Sequence, residues 1–166
     1  MKTRFISIIN VILFALLSLF ITSCCNGPSD IINISIIKAK DLPPEVNPGV
    51  EPQYKVIVKI EFGVDIDNSN LTAPGNINVT AKGSSDREDP KMSGTIQYVA
   101  STKTAYFIST NSLSFSPYAN ENIKYTVIVV GTGDNCVKRQ SGGCIDGCDN
   151  DTAPGDSYVK EITIIG

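Results

Sequence analysis

Between Gly131 and Ser157 the sequence gathers the residue types that do chemistry: Asp134, Cys136, Cys144, Asp146, Cys148, Asp149, Asp151 and Asp156, set among Gly133, Gly142, Gly143, Gly147 and Gly155. A loop this long in a compact domain is usually functional or disordered. Three readings compete for it. The leading one is a disulfide from Cys136 to Cys144 or Cys148, which would pin a surface loop and remove up to about 3 kcal/mol of unfolded-state entropy. The second is a calcium site. Asp149, Asn150 and Asp151 would present hard oxygens, with Asp146 or Asp156 completing the shell, although the Asp-x-Asp-x-Asp-Gly pattern is absent. The third is thiol redox or zinc chemistry. Cys144 and Cys148 are separated by three residues rather than the two of the common redox motif. Zinc would need a fourth ligand beyond the three clustered thiols, and the chain has no His to provide one.

Other chemistry finds little support. Without His there is no triad with an imidazole base, and neither a Gly-x-Ser-x-Gly elbow nor a P-loop is present. Two carboxylates meeting from distant loops would remain as an enzymatic arrangement. The acids here concentrate in turns, as solvated residues do, so no enzyme is expected. Cofactors other than calcium are not implied. The 166 residues carry a net charge of −3. Lys2 and Arg4 belong to an N-terminal segment that reads as removable, and the rest holds 12 basic against 17 acidic residues, a charge of −5. A mildly acidic domain with no basic run has no footprint for nucleic acid, and charge would not draw it to an anionic membrane.

That N-terminal segment has the build of an export signal. A basic start is followed by Phe5 to Ile21, in which 14 of 17 residues are apolar. The stretch is near the lower length limit for a membrane-spanning helix, but no positive cluster follows it to stop transfer. It ends in Ile21-Thr22-Ser23-Cys24, which resembles the lipobox of bacterial lipoproteins: an aliphatic residue, two small residues, then Cys. The resemblance implies cleavage before Cys24 and a diacylglycerol on its sulfur, usually with acylation of the new amine. Two or three acyl chains, at about 0.8 kcal/mol per buried methylene, hold a protein at a membrane effectively permanently. The expected organisation is a signal peptide over 1–23, a lipidated Cys and short tether over 24–30, and one domain over 31–166. Cys25, rather than Asp, follows the lipidated residue, which leans toward the outer membrane. In an oxidising exported setting Cys25 would stay free or pair with the odd member of the cluster Cys136, Cys144 and Cys148.

The elements that must position these groups read as short strands. Ile31 to Lys38 is apolar and β-branched. Asp41 to Gln53 holds Pro43, Pro44, Pro48 and Pro52 and must be a loop. Tyr54 to Phe62 alternates strictly, with Tyr54, Val56, Val58, Ile60 and Phe62 on the inward face and Lys55, Ile57, Lys59 and Glu61 on the other. Further strands are expected at Asn76 to Ala81, Ser93 to Val99, Thr104 to Ser109, Ile123 to Val130 and Tyr158 to Ile165, with a charged turn over Gly83 to Pro90. No long amphipathic helix is expected. About seven antiparallel strands, each with one apolar face, predict an all-β, immunoglobulin-like β-sandwich, without the Cys…Trp…Cys signature of antibody domains.

Several segments resemble the SbsA-type bacterial Ig-like domain: the strand Lys55 to Phe62, the turn Asn70-Leu71-Thr72, a hairpin like Gly94 to Ile108, Leu113 before Pro117, the strand Tyr125-Thr126-Val127, and the loop Gly133-Asp134-Asn135. The likeness covers roughly 31–166. The Pro-Gly usual before the Tyr strand is replaced by Asn120-Glu121-Asn122, and the last loop is expanded by the cysteine segment. The resemblance implies a structural, adhesive or protein-binding module displayed on the cell envelope, touching membrane lipid through Cys24 and a cell-surface protein or glycan beyond. By analogy the 131–157 loop would face outward as the recognition element. The alternative function is a calcium- or carbohydrate-recognising adhesin or accessory subunit of an envelope assembly, for which Tyr106 and Tyr118 are the candidate sugar platforms. Tyr125, at the start of a strand, reads as a structural tyrosine corner rather than a binding aromatic.

Overall fold

The computed structural model describes residues 29–83, 88–89, 91–110, 122–146 and 157–165. The alternating segments pair into two antiparallel sheets. β1 (Ile31–Ile37), β2 (Ile57–Phe62), β5 (Gly94–Val99) and β6 (Thr104–Ser109) form one, in the order β1-β2-β6-β5. The other holds β3 (Ile77–Gly83), β4 (Glu88–Asp89), β7 (Ile123–Val129) and β8 (Tyr158–Ile164), in the order β4-β3-β7-β8. β4 is only two residues long, so among the described residues the sandwich has seven full strands. Lettered in chain order, the sheets are A-B-E-D and C′-C-F-G, the strand order of immunoglobulin-like sandwiches.

The inward faces are those the alternation marks. Val58, Ile60 and Phe62 of β2 and Ala105 and Phe107 of β6 meet Ile77, Val79 and Ala81 of β3 and Ile123, Tyr125, Val127 and Val129 of β7 in one buried cluster. Each large side chain removed from water there contributes about 1.5–3 kcal/mol. In β1 the inward residues Ile31 and Ile34 are three apart rather than two or four, because the register slips between Ile31 and Asn33. In the last strand Tyr158 is buried and Ile162 and Ile164 pack on the core, while Lys160 on the same face lies exposed.

Three expectations need correction. Tyr54 does not begin β2; it closes a 3₁₀ turn with Pro52 and is 42% exposed. Part of the expected charged turn after β3 extends the sheet, with Glu88 and Asp89 pairing back on Lys82 and Ala81. Ile57, placed on an outward face, is completely buried. The proline-rich connection over 38–56 folds across the outer face of the first sheet, and Val46 packs with Ile57, Tyr106 and Ile108 in a second apolar cluster. Polar bonds fasten this cover. Asn47 N donates to Gln97 Oε1 at 2.9 Å, and Gln97 Nε2 donates to Asn47 O at 2.6 Å.

The antiparallel register sorts the connections by end. Ile31 lies opposite Phe62, Glu61 opposite Thr104, and Ile77 and Tyr158 both opposite Val129. The chain entering β1 therefore shares one end of the sandwich with the connections 63–76 and 100–103 and with the described part of 130–157. The connections that follow β1, β3 and β6 leave from the other end.

Candidate functional site

The segment after β7 is a folded element, not an open loop, across its described part. Gly133, at φ +74°, lets the chain turn so that Cys136 N can donate to Gly133 O at 3.3 Å. The chain then forms a narrow hairpin. Lys138 bridges Cys144, Arg139 N donates to Gly143 O at 3.0 Å, and Ile145 N donates to Val137 O at 2.9 Å. Its tip is turned by Gly142 and Gly143, both in the left-handed region at φ +93° and +78°. Cys136 and Cys144 are joined by a disulfide across the hairpin, with Cα atoms 5.6 Å apart. Of the two partners open to Cys136 on sequence grounds, the structure takes Cys144. Val137 and Ile145 are fully buried and belong to the core cluster, so the hairpin plugs this end of the sandwich.

Neighbouring segments hold it in place. Asp67 N donates to Lys138 O at 2.9 Å, Gln140 N to Asp65 O at 2.8 Å, and Asn70 Nδ2 to Cys136 O at 3.0 Å. The tightest clamp comes from the residue before β1. Asp30 Oδ2 accepts from Arg139 Nε at 2.7 Å, from Arg139 Nη2 at 2.6 Å and from Asp146 N at 2.8 Å. Asp30 N donates to Asp146 O at 3.0 Å, and Asp30 O accepts from Gly63 N at 2.8 Å. The Asp30 side chain is 8% exposed and that of Arg139 36%. Asp30, expected within the tether, is thus an integral part of the fold, with Ser29 Oγ accepting from Ile31 N beside it.

An open recess of about 470 Å³ lies between the hairpin tip and the neighbouring connections, lined by Gly63, Val64, Asp65, Lys103, Arg139, Gln140 and Ser141. Both of its cations are in ion pairs, Lys103 with Asp65 at 3.5 Å and Arg139 with Asp30. Such a recess can hydrogen-bond polar groups through backbone and side-chain amides. A second, smaller recess of about 220 Å³ opens at the opposite end, beside Asn47, Gly49, Lys55 and Thr110.

Of the sequence-predicted site residues, the structure brings together Cys136 and Cys144. Asp146 serves through its backbone, gripping Asp30. Cys24, Cys25, Cys148, Asp149, Asn150, Asp151 and Asp156 lie outside the described residues, as does Tyr118. Among the described residues no cluster of three or more Cys, Asp or Glu is placed to hold a metal ion. Tyr125 is fully buried, and burial pushes its hydroxyl well above the ordinary tyrosine range. Tyr106, 5% exposed, is packing in the second apolar cluster rather than a platform for sugar. The clamp formed by Asp30 and Arg139 was missed, because the two are 109 residues apart and neither stands in a motif.

No protein-family model matches the chain, and a search of curated proteins finds no match.

Proposed function

We propose that this chain is a lipid-anchored, extracytoplasmic module of the bacterial cell envelope, an immunoglobulin-like sandwich that serves as a structural, adhesive or protein-binding unit rather than as an enzyme. The observation that carries the reading is one of sequence order. An apolar leader closes on Ile21-Thr22-Ser23-Cys24, and Asp30, the first firmly clamped residue of the sandwich, follows shortly after Cys24. A tether this short ties a rigid body closely to its lipid. The SbsA-type likeness favours the same role, since domains of that family act as spacers and accessory units in surface proteins. The strand order A-B-E-D and C′-C-F-G is compatible with it. Membrane lipid is the first partner through acylated Cys24, with a protein or glycan of the envelope beyond it. The residue after Cys24 being Cys rather than Asp favours the outer membrane.

The test is metabolic labelling with a fatty-acid analogue of the full chain and of Cys24→Ser in a bacterial host, with mass spectrometry of the N-terminal peptide. The expected result is a mature protein that begins at Cys24, carries acyl chains and enters the detergent phase, while Cys24→Ser is neither labelled nor processed. A wild-type protein that still begins at Met1, or label that survives in Cys24→Ser, would refute it.

A further inference from the structure

We propose that the end of the sandwich bearing the disulfide hairpin faces the lipid bilayer, so that the hairpin is a footplate and the opposite end is the surface free to meet the outside. The inference rests on the lipid-anchor reading above, and it reverses the expectation that the cysteine loop points outward. Three observations carry it.

First, the anchor's exit point is fixed. Asp30 is locked into the hairpin end by Arg139, Asp146 and Gly63, so the tether leaves from that end and no other. Second, the tether is short compared with the body. From Cys24 to Ser29 a fully extended chain reaches about 20 Å at most. A seven-residue strand such as β1 is itself about 23 Å long at roughly 3.3 Å per residue. To bring the opposite end to the lipid, the tether would have to run back along the whole strand, which is beyond its reach. Third, the hairpin end suits a headgroup surface better than a hydrocarbon one. Val137 and Ile145 of the hairpin are turned into the core, Lys103 and Arg139 are paired with Asp65 and Asp30, and Lys138 is exposed on the hairpin, while Ile32 beside Gly63 is an exposed apolar side chain at the same end. It would rest against polar headgroups without inserting.

The consequence for access is concrete. The 38–56 connection leaves and returns at the free end, where Gly49 and Lys55 lie beside Ser109 and Thr110, and it carries Val50, 81% exposed, and Tyr54, 42% exposed.

The test uses the full lipidated chain in phosphatidylethanolamine–phosphatidylglycerol vesicles containing a headgroup-nitroxide lipid. A fluorescent amino acid is placed at Ser141, exposed at the hairpin tip, or at Val50, exposed at the other end. Flotation of the vesicles is measured on the same samples. The expected result is that both proteins float and that quenching at Ser141 is several-fold stronger than at Val50. Proteins that float but are quenched equally at the two sites, or more at Val50, overturn the orientation while leaving the anchor intact. Proteins that do not float with the vesicles overturn the anchor reading and this inference with it. Both positions are exposed, so neither substitution removes a core contact.

Discussion

Replacing Asp30 or Arg139 tests how the hairpin is held. Asp30→Ala removes an acceptor used by three N–H groups. A hydrogen bond to a charged group contributes about 1.5–3 kcal/mol, but the Arg139 side chain is just over a third exposed and can turn to water, so part of that is recovered. The expected loss for Asp30→Ala is about 2–3 kcal/mol. Arg139→Ala is the harsher change in kind, because it leaves a carboxylate only 8% exposed with Asp146 N as its remaining side-chain partner. Uncompensated buried charges cost about 3–5 kcal/mol, and water entering the vacated guanidinium position lowers this to roughly 2–4 kcal/mol. The double variant should lose less than the sum, with a coupling of about 1.5–3 kcal/mol. Against a total stability of about 5–15 kcal/mol this is easily seen. Urea denaturation followed by far-ultraviolet dichroism gives the three free energies, and amide exchange at Val137 and Ile145 reports whether the hairpin loosens locally. A coupling below about 0.5 kcal/mol, with both single variants near wild type, would show the pair to be solvated and the clamp to be illusory.

Three further outcomes follow from the packing and the ion pairs. Replacing both Cys136 and Cys144 with Ala frees a short loop and should cost about 2.5 kcal/mol on the chain-entropy model, read as a lower urea midpoint that reducing agent reproduces in the wild type. Ile57→Ala should cost about 2–5 kcal/mol because the position is fully buried under the 38–56 connection; a change within about 0.5 kcal/mol would mean that the connection does not cover the sheet. Glu61 is held below its ordinary value of 4.5, first by its hydrogen bond with Lys59 and then by Asn33. Its contribution is therefore complete above the unfolded value and lost as pH falls through the lower folded value. Glu61→Gln should flatten that part of the acid limb by less than about 1 kcal/mol, since both side chains are 31% exposed, and carboxyl titration by nuclear magnetic resonance checks the direction.

The alternation in β2, β3 and β7 was legible because it needs only period two and one buried face, and Val79, Ala81, Tyr125 and Val127 lie where it puts them. What was not legible depended on contacts distant in sequence. Ile57 reads as outward in any local window, and only the return of Val46 over the sheet makes it interior. Tyr54 continues the alternation by type, yet Pro52 two residues earlier sets a 3₁₀ turn that takes it out of the strand. The disulfide was narrowed to two partners by spacing. The choice of Cys144 follows from the hairpin tip at Gly142 and Gly143, which brings position 144 back opposite 138.

The acidic, glycine-rich segment after β7 reads as an open loop because Asp and Gly dominate its composition. Its two isolated apolar residues carried the better signal. Val137 and Ile145 sit eight apart, on either side of the adjacent pair Gly142-Gly143. A flexible, solvent-facing loop gains nothing from an exposed Val or Ile at such places, whereas a hairpin folded back on the core can bury both. Burying them takes backbone out of water, and every N–H and C=O so removed must find a partner. The partners are on hand because the 63–70 segment, Asp30 and Val130 offer strand-like donors and acceptors at this end. The same bonds that make the plug stable also fix where the chain enters β1. A sandwich that closes one end in this way ties its covalent bridge, its clamp and the entry into its first strand to a single end. That coupling is why the proposed orientation is argued from Asp30 rather than from the loop's composition.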